Sequence, residues 1–199
     1  MTSKRLLLAA LCAMSGCFAG PITVVSATAS STSPGPYYDA LHLIDGSGLS
    51  GGLHDNYFGN MWLSNGSATA TLDFDLGGIY TLDQAFVWNY NWDVMLNRGT
   101  RTLTILVSIN GIDYSTVGDY SLTRGTDAGI PADELALTGS TGRYVRFDLK
   151  TNYGDSDYIG LSEVRFDGSA AAPEPASALL VLFGLAGGAA LGIRRRWGR

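Results

Sequence analysis

Ala70-Thr71-Leu72-Asp73-Phe74-Asp75-Leu76 places an apolar residue at every second position, with Thr and Asp between them. A strand turns successive side chains to opposite faces, so this stretch reads as a strand with one face buried and the other wet. Leu103, Ile105, Val107 and Ile109 alternate in the same way, and Val145, Phe147 and Leu149 form a third set. Clusters of Gly, Asn and Asp separate these segments, and no stretch between them shows a helical period with caps. The expected fold is all-β, an antiparallel sandwich with Trp62 and Trp88 in its core.

The 199 residues, 46% of them hydrophobic, allow one domain with short appendages and no second domain. Lys4, Arg5, Arg194, Arg195, Arg196 and Arg199 are six of the 13 Lys and Arg, and all lie at the ends. The middle, from Ser30 to Ala172, carries seven Lys and Arg against 17 Asp and Glu, a net charge of -10. Such a surface repels phosphate backbones, which excludes nucleic acid as a partner. Cys12 and Cys17 both lie in a segment read below as removed, so neither a disulfide scaffold nor a Cys-ligated zinc site is expected.

Residues 1–29 have the parts of a secretory signal peptide: Lys4-Arg5, a short apolar run from Leu6 to Met14, then small residues. Cleavage could follow Ala19, Ala27 or Ala29; a buried N-terminal helix and a lipoprotein box ending at Cys17 are the alternatives. Residues 30–36 continue a Ser-, Thr-, Ala- and Pro-rich stretch and read as a flexible leader, with the folded unit expected over 37–168. At the other end, residues 176–193 form an uncharged run which, as a transmembrane helix, would extend about 27 Å. Arg194, Arg195 and Arg196 follow and would stay cytoplasmic. Pro173-Glu174-Pro175 stands before the run, extended and exposed. The order of Pro-Glu-Pro, apolar helix and arginine cluster over 172–199 closely resembles the bacterial PEP-CTERM sorting signal. The resemblance implies an exosortase-type membrane enzyme as partner, removal of the tail, and delivery to the surface or extracellular polysaccharide matrix of a Gram-negative bacterium. A plain C-terminal anchor shares this topology and differs in whether the helix persists.

The order of landmarks in the middle is more informative than their period. Leu43-Ile44-Asp45-Gly46 precedes Trp62-Leu63-Ser64, then Leu72 to Gly77, then Val87-Trp88-Asn89-Tyr90-Asn91. Arg98-Gly99 leads into Leu106 to Gly111, followed by Arg143-Tyr144-Val145-Arg146-Phe147 and Gly160 to Phe166. This succession resembles the discoidin-like domain, the coagulation factor 5/8 type C domain, over about Tyr37 to Gly168. It implies an eight-stranded jelly-roll sandwich of the galactose-binding type, whose bacterial members often bind carbohydrate through loops at one end. The segment between Asp45 and Trp62 holds more Gly-rich loop than the family pattern, so contacts inside it carry over poorly. The resemblance also implies a structural Ca2+ held by the side chains of Asp45 and Glu163 and the backbone carbonyls of His42, Ser47 and Ser162. The plain alternative is that Asp45 only closes a turn and Glu163 faces solvent. Asp155-Ser156-Asp157 is a rival calcium loop, short and without the glycine and terminal glutamate of an EF-hand.

His42 and His54 are the only histidines, and no metalloprotease helix, hydrolase elbow or mature cysteine nucleophile is present, so no enzyme is expected. A glycoside hydrolase would need only two carboxylates across a deep groove and stands third. Sugar recognition needs an aromatic face with hydrogen-bonding neighbours. Tyr90, Asn91, Trp92 and Arg98 cluster in one expected loop and His54 and Tyr57 in another, and these are the candidate ligand contacts. The favoured reading is an exported carbohydrate-binding protein. A structural or adhesive envelope protein binding other proteins is the alternative.

Overall fold

A computed structural model describes residues 19–171. Within them lie ten strands: β1 (Gly20–Ile22), β2 (Ser26–Ala29), β3 (Leu49–Ser50), β4 (Leu53–His54), β5 (Trp62–Leu63), β6 (Ala70–Asn89), β7 (Thr100–Ser108), β8 (Ser115–Ser121), β9 (Asp133–Asn152) and β10 (Gly160–Ala170). The helical pieces among the described residues are short 3-10 turns at Ala40–Leu43, Phe58–Asn60 and Asp93–Arg98. Eight strands share one sheet in the order β1-β10-β6-β9-β7-β8, with β2 also on β6 and β5 also on β10. β3 and β4 pair as a separate hairpin.

The sheet doubles over because β6 and β9, 20 residues each, pass through both layers. The first part of β6, Ala70 to Asp75, pairs with Leu149 to Tyr144, and its later part, Tyr80 to Val87, pairs with Gly142 to Asp133. The register slips between Asp75 and Tyr80, where Gly77 at φ 73° takes a backbone conformation that other residues rarely adopt. Leu72, Phe74, Leu103, Ile105, Val145, Phe147, Leu149 and Phe166 fill the space between the layers. Phe74, Phe147 and Phe166 meet there edge to face, with centroids 5.2, 5.5 and 6.0 Å apart. Trp62 and Trp88 are buried as expected, their indole N–H groups donating to Thr32 Oγ1 and the Gly52 carbonyl. Ile109 departs from its alternating set: it lies just past the end of β7 and is 57% exposed.

The domain begins earlier than its composition suggests. β1 pairs with β10, Gly20 opposite Gly168, and β2 pairs with β6, Ser26 opposite Asp75. Ile22 is buried in the core, with Val24, Ala27 and Ala29 packed against it. Residues 30–36, read as a leader, are also tied down: Ser30 N–H donates to the Thr71 carbonyl and Ser33 N–H to that of Leu63. Small apolar residues alternating with Ser and Thr form an edge here, and that composition is the same one that suits a flexible tether. Residues 1–18, the Pro173–Pro175 motif, the apolar run 176–193 and Arg194–Arg196 lie outside the described residues. Among the described residues no helix is long and apolar enough to cross a membrane.

Candidate functional site

Three loops meet at one end of the sandwich. Residues 90–99 join β6 to β7, residues 153–159 join β9 to β10, and a long segment from Tyr37 to Met61 carries the small hairpin. Gly99 and Gly160 lie side by side, and Tyr153 N–H donates to the Asn97 carbonyl, locking the first two loops together. Gly160 is obligatory, since a Cβ there would stand 2.6 Å from the Tyr90 ring and 2.8 Å from the Trp62 carbonyl oxygen.

An aromatic cluster covers this end. The Phe58 ring is its hub, 5.3 Å from Tyr37, 6.1 Å from Tyr38, 4.9 Å from Tyr57 and 5.3 Å from Trp92. Tyr37 and Tyr57 are about half exposed, at 47% and 51%, so the cluster presents ring surface to water. Beside it the Arg98 guanidinium lies 4.4 Å over the Tyr158 ring and 6.0 Å from that of Trp92. Arg98 Nε donates to Asp155 Oδ2 at 3.2 Å, and Asn97 Nδ2 reaches the same oxygen. Burial alone would raise the Asp155 carboxyl, but backbone N–H donors from Asp157 and Tyr158 together with Arg98 hold it below the usual range. Both Asp155 oxygens are thus engaged within the protein, and the rival calcium loop is instead a brace for Arg98.

Of the expected contacts, Trp92, Arg98 and Tyr57 come together here, while Tyr90, Asn91 and His54 do not reach the surface. Tyr90 is wholly buried with Met61 and Leu63 beneath Trp92 and Tyr158, and burial pushes its phenol well up. Asn91 makes every hydrogen bond its amide allows: Nδ2 donates to the Asp55 and Ala128 carbonyls, and Oδ1 accepts from Thr126 and Asp127 N–H. It fastens two loops and has nothing left for a ligand. His54 is also buried, Nδ1 on the Asp55 carbonyl and its backbone paired with Ile130. Tyr90 and Asn91 continue the buried run Trp88–Asn89 past the end of β6, on backbone that no longer alternates, so residue type gave no sign of which way they face. The missed members, Tyr37, Tyr38, Phe58 and Tyr158, left a readable trace in the doublets Tyr37-Tyr38 and Tyr57-Phe58 inside Gly- and Pro-rich loops.

The residues assigned to an ion also converge. Asp45 closes a turn by accepting from Ser47 N–H at 2.8 Å, and its other oxygen lies 3.1 Å from His42 Nδ1. Burial would raise the Asp45 carboxyl, but Ser47 and His42 hold it low. Glu163, from β10, is fully buried rather than solvent-facing: it accepts from Gly46 N–H at 3.1 Å and from Arg165 Nε at 3.1 Å. Burial pushes its carboxyl up to about 7 even with Arg165 beside it. Gly46, at φ 74°, takes a backbone conformation that favours glycine, and a Cβ there would also have to push aside the Arg165 guanidinium. Ser162 turns its hydroxyl inward to the Asn89 carbonyl. Among the described residues no cluster of three or more His, Cys, Asp or Glu side chains could hold a metal, so an ion here would depend on backbone carbonyls as well.

A sandwich with its loops gathered at one end, entered through Asp45 and closed by Glu163, is matched over residues 26–164 by the F5/8 type C domain model. The chain belongs to that family. Comparison with curated protein sequences gives no match. Among solved structures the F5/8 type C domain is similar to the CBM32-5 module of CpGH89 from Clostridium perfringens in complex with GalNAc-β-1,3-galactose, at 17% identity over 74% of this chain and 99% of that one, TM-score 0.55. It is similar also to the C-terminal domain of a chitobiase from Bacteroides fragilis, at 17% identity over 76% and 99%, TM-score 0.56. A third is the fucolectin of striped bass (Morone saxatilis) serum, at 20% identity over 78% of this chain and 50% of that one, TM-score 0.54. The match from residue 26 takes in β2, ahead of the expected start at Tyr37.

Proposed function

We propose that this F5/8 type C domain is an exported carbohydrate-binding protein that recognises glycan reversibly at its loop end. The observation that carries the reading is the aromatic cluster in which exposed Tyr37 and Tyr57 flank the partly buried Phe58 and Trp92, set beside the Arg98–Asp155 pair. Rings offer the apolar face of a pyranose a flat partner, and a braced guanidinium offers its hydroxyls fixed donors. Binding and not bond cleavage fits this surface, because the carboxylates near it are committed to internal partners. One similar structure holds GalNAc-β-1,3-galactose and another is a fucolectin, which supports a saccharide ligand.

Calcium belongs to the same proposal. The fully buried Glu163 carboxyl, held partly protonated near neutral pH, and the Asp45 carboxylate beside it are hard oxygen donors that a divalent cation would bring fully into the charged form. His42, Ser47 and Ser162 would add backbone carbonyls, and the ion would tie the 42–47 loop to β10. Export would use the signal peptide and the PEP-CTERM tail, with an exosortase as partner and the cell surface or matrix as destination. Cleavage after Ala19 is the compatible choice, because cutting after Ala27 or Ala29 would remove β1 and half or all of β2.

A glycan array probed with the full chain, with calcium and with chelator, tests the reading. At least one glycan should bind, and Trp92→Ala should weaken it. An array on which wild type and Trp92→Ala bind alike sinks the loop-end assignment.

A further inference from the structure

A second concavity, of about 400 Å³, lies on the outer face of the sheet, away from the aromatic loop cluster. Its floor is set by register. On β6, Asp73 stands opposite Arg146 of β9, and Asp75 opposite Tyr144; on the other side of β6, Thr28 and Ser26 of β2 stand opposite the same two acids. Alternation sends Leu72, Phe74 and Leu76 into the core, and therefore Asp73 and Asp75 outward. The turn after β7 rises as the opposite wall, carrying Asn110 and Tyr114.

The polar groups are paired with one another. Arg146 grips Asp73 through two bonds, Nε at 2.7 Å and Nη2 at 3.0 Å, and Arg143 grips Asp75 through two of 2.8 Å. Each guanidinium also lies over a ring, Arg146 at 4.2 Å from Tyr114 and Arg143 at 5.0 Å from Tyr144. The two acids and two arginines cancel in charge, and each guanidinium keeps further N–H donors while each carboxylate keeps lone pairs.

We infer that this groove is a second binding site, for an uncharged saccharide chain. Its volume lies in the range of ligand clefts. With both arginines paired to acids and Asp113 on the adjoining turn, it gives anionic glycans no net attraction. Donors, acceptors and ring edges fixed in advance lower the ordering cost of capturing a polyhydroxylated ligand. The site is independent of the loop-end reading, since it shares no residue with the aromatic cluster.

The test is a titration of the full chain with uncharged hexasaccharides of glucose, mannose, galactose and xylose, with a sulfated glycan and an acidic peptide as controls. Amide NMR reports where each acts. At least one neutral oligosaccharide should shift the signals of Asn110–Tyr114 and Tyr144–Arg146, with little response to added salt. Tyr114→Ala should weaken that binding by about tenfold, the scale of a lost ring contact, while Tyr114→Phe retains most of it. Tyr114 sits on a surface turn, so the fold should survive, and Tyr144→Ala serves as a second variant. The inference fails if no neutral saccharide moves those signals, if both alanine variants bind like wild type, or if only the sulfated glycan or the peptide binds there. A Tyr57→Ala/Trp92→Ala chain separates the two readings. If it loses all binding, the groove is wrong and the loop end right; if it still binds through Tyr114, the groove stands by itself.

Discussion

The loop end and the outer groove use the same materials in two different ways. Both set aromatic rings beside an arginine braced by an aspartate. In the groove, Asp73 and Arg146 are directly opposed on paired strands and would meet in any sandwich with this register. At the loop end, Arg98 and Asp155 are 57 residues apart on irregular backbone, and they meet because the Tyr153–Asn97 bond and the Gly99–Gly160 pairing lock their two loops, while Asn91 fastens the first of those loops to Asp55 and to residues 126–128. A site on strands inherits its order from the ladder, whereas a site on loops needs its own interior.

The largest test of that contrast is Asn91→Ala. It strips partners from two carbonyls and two N–H groups at once, and should cost about 3 kcal/mol in unfolding free energy, since each buried polar group left unpaired costs on the order of 1 kcal/mol or more. Denaturant titration measures it. A loss much under 1 kcal/mol would mean that the loops hold together without Asn91.

Glu163 comes next, because its burial ties the 42–47 loop to β10. Its carboxyl titrates near 7 in the fold and near 4.5 when unfolded, so the folded state binds the proton more tightly. In chelator the contribution is fully present below about pH 4.5 and is lost as pH rises through about 7, on the order of 3 kcal/mol in all. Asp45 on the loop and Arg165 on β10 are the charged neighbours that modulate it. Glu163→Gln should flatten this pH dependence in thermal melts. Calcium should raise the melting temperature of wild type but not that of Asp45→Ala or Glu163→Ala. A wild-type midpoint unmoved by calcium removes the ion from the proposal.

Trp92→Ala should lower glycan affinity by roughly 1 kcal/mol, the scale of an aromatic contact, and should also lower stability, because its ring covers Tyr90 and packs on Phe58. Calorimetric titration and a melt on the same variant separate the two effects. The smallest change is expected in the groove: Asp73→Asn should alter stability by under about 1 kcal/mol, because this pair is about one-third exposed and screened by solvent. A greater loss than for Asn91→Ala would reverse the comparison.

The strands around Leu72, Leu103 and Phe147 were legible because burial on one face imposes a two-residue period. β1 and β2 were not, because Ser, Thr and Ala serve equally in an exposed edge and in a tether. Asp45 and Glu163 could be paired through the family resemblance, but the depth at which Glu163 is buried could not. At the loop end, Trp92, Arg98 and Asn91 were all named for their chemistry; the first two lie beside the aromatic cluster, while Asn91 is buried, since an amide looks alike whether it holds a sugar or a carbonyl.

The sequence by itself determined the all-β class, the acidic middle, the faces of the long strands and the family, because these depend on residue type and on local order. The tertiary structure alone decided that the sheet starts at Gly20, that Phe58 joins two loops into one aromatic face, and that Asp155 serves Arg98. Those outcomes come from contacts between segments far apart in the chain, where partner and geometry are set by packing and not by neighbours in sequence.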